Sequence, residues 1–220
     1  MKAVILSLVF FILGVVGGLI LFKNKITSVV PNFVQVPSPE PTKFLLENPP
    51  KESLVGKITS LSGDVSWQSR VDSTPSAIVA PRNIQQGEKI ETGDNGKAVI
   101  NFAGVSEINV FPNSGLSFVQ TLPVNLVIAQ KKGRSEYIKT GIIPLTVRSL
   151  HLIVEVTNSD LVVTVDEEKQ VVTLEVRQGT ATFAFNDLYN LSHLGKLDAG
   201  RQYVFRDRAR KGLVTLLNNL

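Results

Sequence analysis

Hydrophobic and polar positions divide the chain into three textures. Residues 3–22, AVILSLVFFILGVVGGLILF, are apolar without a charge and carry one hydroxyl, at Ser7. A helix over that run is about 30 Å long, the thickness of a bilayer's hydrocarbon core, so the run predicts one transmembrane helix. Lys2 before it and Lys23 and Lys25 after it put ammonium groups at the two head-group levels. A cleaved secretory signal would have a shorter apolar core, about 7–15 residues, followed by a small-residue cleavage site. Leu21-Phe22-Lys23-Asn24-Lys25 offers no such site, so residues 1–25 read as an uncleaved signal-anchor that holds the lipid bilayer through 3–22. Gly14 and Gly18 have the spacing that lets two membrane helices approach to backbone contact, which makes them the candidate contact of a homodimer.

Residues 26–52 hold six of the eleven prolines: Pro31, Pro37, Pro39, Pro41, Pro49 and Pro50. Proline fixes φ and has no amide donor, so this segment reads as an extended stalk. From residue 53 the texture becomes short β-branched and aromatic runs punctuated by Gly, Asp, Asn and Pro. Strands are predicted at 55–61, 65–68, 98–102, 107–111, 116–120, 126–129, 145–147, 150–156, 161–165, 171–176, 180–185 and 203–205. No 3.6-residue apolar period follows the anchor. The fold class is therefore mainly β: one N-terminal transmembrane helix, then an all-β domain of sandwich or roll type over 53–211. Residues 212–220 read as a last strand or a tail. Ser62-Gly63-Asp64 and Asp94-Asn95-Gly96 have the chemistry of tight hairpin turns, and Asp166-Glu167-Glu168-Lys169 that of a solvated turn between two mirrored strands.

Composition narrows the chemistry. With no cysteine in 220 residues, disulfides, thiolate metal sites and cysteine nucleophiles are excluded. The net charge of +4 invites a nucleic-acid reading, but three of the 23 basic residues flank the apolar run, leaving 20 against 19 acidic ones. The excess charge thus belongs to the anchor, and no nucleic-acid partner is expected. His151 and Glu155 share a strand face but lie roughly 13 Å apart, too far for one ion. His193 sits in a polar segment, no nucleophile elbow surrounds Ser106 or Ser117, and no phosphate-cradling glycine loop occurs. Nothing specifies a reaction, so no catalytic residue, metal or cofactor is assigned. Basic residues cluster at Lys131-Lys132-Gly133-Arg134, read as a polar loop, and at Arg206, Arg208, Arg210 and Lys211, read as a solvated tail. Trp67, two residues after Val65 on the same face, is expected in the core.

Gly56-Lys57-Ile58, Gly63-Asp64-Val65-Ser66-Trp67, the block GEKIETGDNGKAVINF over 87–102 and Ile108-Asn109-Val110-Phe111-Pro112-Asn113-Ser114 together resemble the FecR domain. Leu174-Glu175-Val176-Arg177-Gln178-Gly179-Thr180-Ala181 and Leu197-Asp198-Ala199-Gly200-Arg201-Gln202 are similar to its later elements. Ala103-Gly104-Val105-Ser106 replaces the family's D-G-S turn, and its R-G-T turn is absent around 158–170. The resemblance implies an extracytoplasmic all-β domain of a bacterial envelope protein. In the best-known members this domain relays a signal through one membrane helix to a cytoplasmic segment that grips a sigma factor. Here only Met1 and Lys2 precede the apolar run, so that segment is expected to be missing.

The expected protein is a single-pass cell-membrane protein whose stalk presents a non-catalytic binding or scaffold module outside the cell. Its partner would be an envelope protein or polymer, engaged at sheet edges and at a loop carrying Lys131, Lys132, Arg134, Tyr137 and Lys139. A sensor subunit working through a separate membrane partner is the alternative. A carbohydrate hydrolase using Asp64, Glu91 or Asp94 is the third reading.

Overall fold

The computed structural model describes residues 52–217. The expected anchor with Gly14 and Gly18, and the stalk up to residue 51, lie outside them. Among the described residues no helix is long and apolar enough to cross a membrane. The strands are β1 (Gly56–Ser62), β2 (Val65–Gln68), β3 (Ser76–Ala77), β4 (Asn83–Ile84), β5 (Lys89–Thr92), β6 (Lys97–Phe102), β7 (Ser106–Val110) and β8 (Gly115–Leu122). They continue as β9 (Asn125–Lys139), β10 (Leu145–Ser149), β11 (Leu152–Asp166), β12 (Val171–Asn186), β13 (Ser192–Asp198), β14 (Arg201–Arg206) and β15 (Lys211–Leu216). A 3-10 turn at Asp207–Ala209 joins the last two.

Pairing arranges these strands in two layers. One runs β3, β2, β5, β8, the first half of β9, β10, the first part of β11, the second part of β12, and β13. The other runs β4, β1, β6, β7, the second half of β9, the second part of β11, the first part of β12, β14 and β15. Strand alternation gives each layer one apolar face, as in β6, where Ala98, Ile100 and Phe102 are buried and their neighbours are not. The two faces form one core. Phe102 meets Phe118 across the layers at 5.6 Å between ring centroids, and Phe183 stacks on Tyr203 at 4.1 Å.

Three strands pass through both layers, and each changes the parity of its buried positions as it does so. In β9 the buried positions are Leu126, Ile128 and Gln130, then Ser135 and Tyr137. In β11 the core-facing ones are Leu152, Val154 and Val156, then Ser159, Leu161, Val163 and Val165, with Val162 buried as well. In β12 they are Val172, Leu174 and Val176, then Ala181 and Phe183. An extra residue at each corner shifts the two-residue period, so the apolar side keeps facing inward after the chain has crossed. The corners need glycine. Gly133 has φ +78°, and a Cβ there would lie 2.3 Å from the Ser114 hydroxyl oxygen and 2.4 Å from the Asn113 carbonyl. Gly179 has φ +72°, and its Cβ would lie 1.9 Å from the Asn158 carbonyl oxygen.

Neighbouring corners bond to one another. Along one edge the Gly93 amide donates to the Asp64 carbonyl (2.8 Å), the Asp64 amide to Asn95 Oδ1 (3.0 Å) and the Asn113 amide to the Gly93 carbonyl (3.0 Å). Thr92 Oγ1 donates to the Phe111 carbonyl (2.7 Å) and accepts from the Ser114 amide (2.9 Å), and the Arg134 amide donates to Ser114 Oγ (2.9 Å). Along the other edge the Ala199 amide donates to the Gly179 carbonyl and the Gly200 amide to that of Val176, both at 2.9 Å.

These corners correct two expectations. Ser62-Gly63-Asp64 and Asp94-Asn95-Gly96 are not hairpin turns, because β1 and β2, like β5 and β6, lie in opposite layers and pair with other strands. They carry the chain between sheets. Asp166 to Lys169 is a hairpin turn, closed by the Lys169 amide and ammonium on the Asp166 carboxylate at 2.9 and 2.8 Å. Residues 212–216, left open between strand and tail, lie in the edge strand β15.

Substitution of the corner glycines should separate backbone strain from collision. Gly200→Ala keeps a positive φ (+79°) with nothing within 4 Å of the new Cβ, and should cost about 1–2 kcal/mol. Gly133→Ala and Gly179→Ala add a clash with backbone or a pinned hydroxyl and should cost about 4 kcal/mol or more. Urea denaturation followed by circular dichroism measures the difference.

Candidate binding surfaces

The basic stretch expected as a loop is strand. Over its second half β9 pairs with β7 on one side and β11 on the other, so Gly133 to Lys139 is central in the sheet, while Lys131 and Lys132 stand at the corner before it. Strand alternation then sends its side chains to different places. Lys131 meets Glu167 at 3.5 Å and Lys132 meets Glu91 at 3.6 Å. The Arg134 guanidinium lies 5.2 Å from the Phe111 ring centroid. Tyr137 is buried, its hydroxyl donating to Gln130 Oε1 at 2.9 Å, while Gln130 Nε2 donates to the Gly133 and Val163 carbonyls at 2.8 and 3.0 Å. Lys139 Nζ donates to the carbonyls of Val105 (3.2 Å) and Gly141. The five residues form no common patch. Burial raises the Tyr137 phenol far above its ordinary pKa and lowers that of the Lys139 ammonium.

The second basic cluster is not a tail. Arg206 ends β14, Arg208 lies in the 3-10 turn, Arg210 adopts φ +47° and Lys211 opens β15. Asp207 between them is buried and accepts from the His151 amide (3.0 Å) and from His151 Nδ1 (2.9 Å), tying this turn to the β10–β11 turn. An ionised carboxylate only accepts, so Nδ1 carries the proton. The other histidine, His193, stacks on Phe185 at 5.0 Å and bonds Asp187 at 2.9 Å. That contact, with two backbone amides, holds the Asp187 carboxyl below its ordinary pKa.

His151 and Ser192 line one cavity of about 270 Å3, but Ser192 Oγ donates to Asn186 Oδ1 at 2.9 Å, which takes its proton away from the imidazole. Of the three carboxylates weighed for hydrolysis, Glu91 is paired with Lys132, while Asp64 and Asp94 sit at stacked corners. Among the described residues no group of three His, Asp or Glu side chains could hold a metal ion.

The two ends of the sheets differ. At one end the layers finish in β3 and β4, two residues each, and such short edges resist pairing with other chains. At the other end they finish in β13, seven residues, and β15, six residues. Every residue of β15 is exposed, including Leu213 (64%), Val214 (40%) and Leu216 (71%). Among the described residues no strand pairs with its outer side. The Leu217 amide donates to Gly200 at 2.9 Å, and ladder alternation then turns the amides of Gly212, Val214 and Leu216 outward. Leu194 on β13 and Leu188, Tyr189 and Leu191 in the turn before it add exposed apolar surface. None of these residues stood out in the sequence. The available signal was the apolar run at 213–217.

Two crystal structures of a candidate anti-sigma factor from Parabacteroides distasonis are similar to this chain, each with a TM-score of 0.50 at 11% identity. The match covers 58% of this chain and 59% of that one, so the chain spans about three-fifths of that protein's length. At this identity the likeness is one of fold: over the matched part, the chain shares the β fold of that protein. No family model and no curated protein matches the chain.

Alkaline titration tests the burial of the tyrosines. Burial raises the Tyr203 pKa to about 12 and that of Tyr137 further, while Tyr189 is exposed. In the unfolded chain all three phenols ionise near pH 10. A folded pKa above the unfolded one gives stability that is complete below about pH 10 and is lost as pH rises towards the folded value. Tyrosinate absorbance from Tyr137 and Tyr203 should appear only together with loss of the near-ultraviolet dichroism, as the domain unfolds.

Proposed function

We propose that the protein is a FecR-like binding module, anchored in the cell membrane by residues 3–22 and presented outside the cell on its stalk, with no catalytic turnover. It engages an extended segment of an envelope protein, which adds as a further strand to β15. The observation that supports this most is the asymmetry of the sheet ends: one is blunted to two-residue strands, whereas the other carries a six-residue exposed edge with outward amides and three exposed apolar side chains. Strand addition draws its affinity from such amides and its specificity from alternate side chains, here Leu213 and Val214 on opposite faces.

A second reading, a sensor subunit acting through a separate membrane partner, draws support from the fold likeness to a candidate anti-sigma factor. In that reading the glycines at 14 and 18 carry helix pairing, and Gly14→Leu should abolish association with the membrane partner. Unchanged association would remove it.

Edge docking is tested with a photo-cross-linker at position 216 in living cells. A discrete adduct with one envelope protein is expected. Val214→Pro removes an outward amide from an edge position that tolerates proline, so it should abolish the adduct while shifting the melting temperature by only a few degrees, about 4 °C or less. Val214→Thr should retain the adduct. Protease added to the outside of intact cells should digest residues 52–217. Digestion only from the cytoplasmic side would overturn the placement.

A further inference from the structure

A cleft of about 380 Å3 at the opposite end of the domain from β15 is lined by Trp67, Arg70, Arg82, Gln85 and Glu88 together with the 69–71 turn. Trp67 lies in β2, and Arg82 just before β4 lays its guanidinium over the indole, 3.4 Å from the ring centroid. The frame around these groups is tied down. The Arg82 carbonyl accepts from the Ile58 amide (2.8 Å), Ser69 Oγ donates to Asp72 Oδ2 (2.8 Å), and Glu88 Oε2 accepts from the Gln85 amide (2.8 Å).

Three N–H donors of this cleft are buried and have no acceptor: Trp67 Nε1, Arg70 Nη2 and Arg82 Nε. Buried donors nearly always find a partner, and leaving three together without one is costly. Among the described residues no carboxylate lies within 4 Å of either guanidinium. Glu88 is the one acidic side chain in the lining, and one of its oxygens is taken by Gln85. Two guanidinium groups therefore face one carboxylate, which leaves the cleft one positive charge in excess. A group complementary to it carries negative charge and supplies acceptors to the two guanidinium groups.

We infer that this cleft is a binding site for an oxyanion, a carboxylate or a phosphate, free or carried on an envelope polymer. Guanidinium groups suit both chemistries because their planar N–H pairs match carboxylate and phosphate oxygens. The site is independent of docking at β15, which lies at the other end of both layers.

Trp67 is the only tryptophan in the chain, so its fluorescence reports on this cleft alone. The full-length chain in a non-ionic detergent is titrated with inorganic phosphate, with acetate and with a uronic-acid oligosaccharide, at ionic strength held constant with chloride. Saturable change in the Trp67 emission is expected with at least one of them. Saturation by phosphate or acetate identifies a free ion as sufficient, and saturation by the oligosaccharide alone identifies a polymer-borne carboxylate. Arg70→Gln, which leaves Arg82 covering the indole, should weaken the saturating probe at least about tenfold while keeping the wild-type melting temperature. Arg82→Gln, which removes the other guanidinium, should do the same by calorimetry. No saturable change with any probe, or binding unaltered in Arg70→Gln and Arg82→Gln, would overturn the site.

Discussion

Gly133 and Gly179 stand where a strand leaves one sheet for the other, at points where the neighbouring corner's backbone leaves no room for a Cβ. The remaining architecture follows from that close approach. Because the corners can touch, β9, β11 and β12 run unbroken through both layers, and the hydrogen bonds between corners take up amides and carbonyls that a sharp bend would leave without partners. A sandwich joined only by loops can separate its sheets. Here three strands belong to both sheets, so the layers are coupled through the main chain as well as through the core.

That coupling matters for a chain without cysteine. Cross-layer aromatic contacts, Phe102 with Phe118, Phe183 with Tyr203 and Phe185 with Phe205, fill the space between the sheets. Two buried polar side chains flanking the β9 corner answer one another. Gln130, on the last inward position before the corner, accepts from Tyr137 beyond it and donates across to β11. A half-satisfied pair would cost more than an apolar one, and this pair is satisfied.

Much of the β class was legible in the alternation of apolar residues, and the 87–114 block maps onto stacked corners. What misled was the parity change. The apolar period of β9 breaks at Lys131-Lys132-Gly133-Arg134, and a strand that turns a corner there looks like a strand followed by a loop. For the same reason β11 and β12 read as two strands each. β13 escaped notice because its inward positions are His193, Gly195 and Leu197, of which only the last is apolar. The small size of Gly195 answers to the Phe183 ring lying against it, a tertiary reason with no local trace. Trp67 was expected in the core. It packs against the core's edge with Arg82 over its ring, and the arginine that meets it is fifteen positions away in sequence.

The corners also set what this fold can tolerate over evolutionary time. A turn such as Asp187 to Leu191 can gain or lose residues at the surface, because the hairpin arms keep their register on either side. A corner has no such freedom: removing one residue between Gln130 and Ser135 would turn Ser135 and Tyr137 outward and their charged neighbours inward. Lineages sharing this architecture are thus free to exchange almost every side chain while the number of residues between successive crossings stays constant. Kinship in such a fold is written in intervals, which residue-by-residue comparison is poorly suited to read.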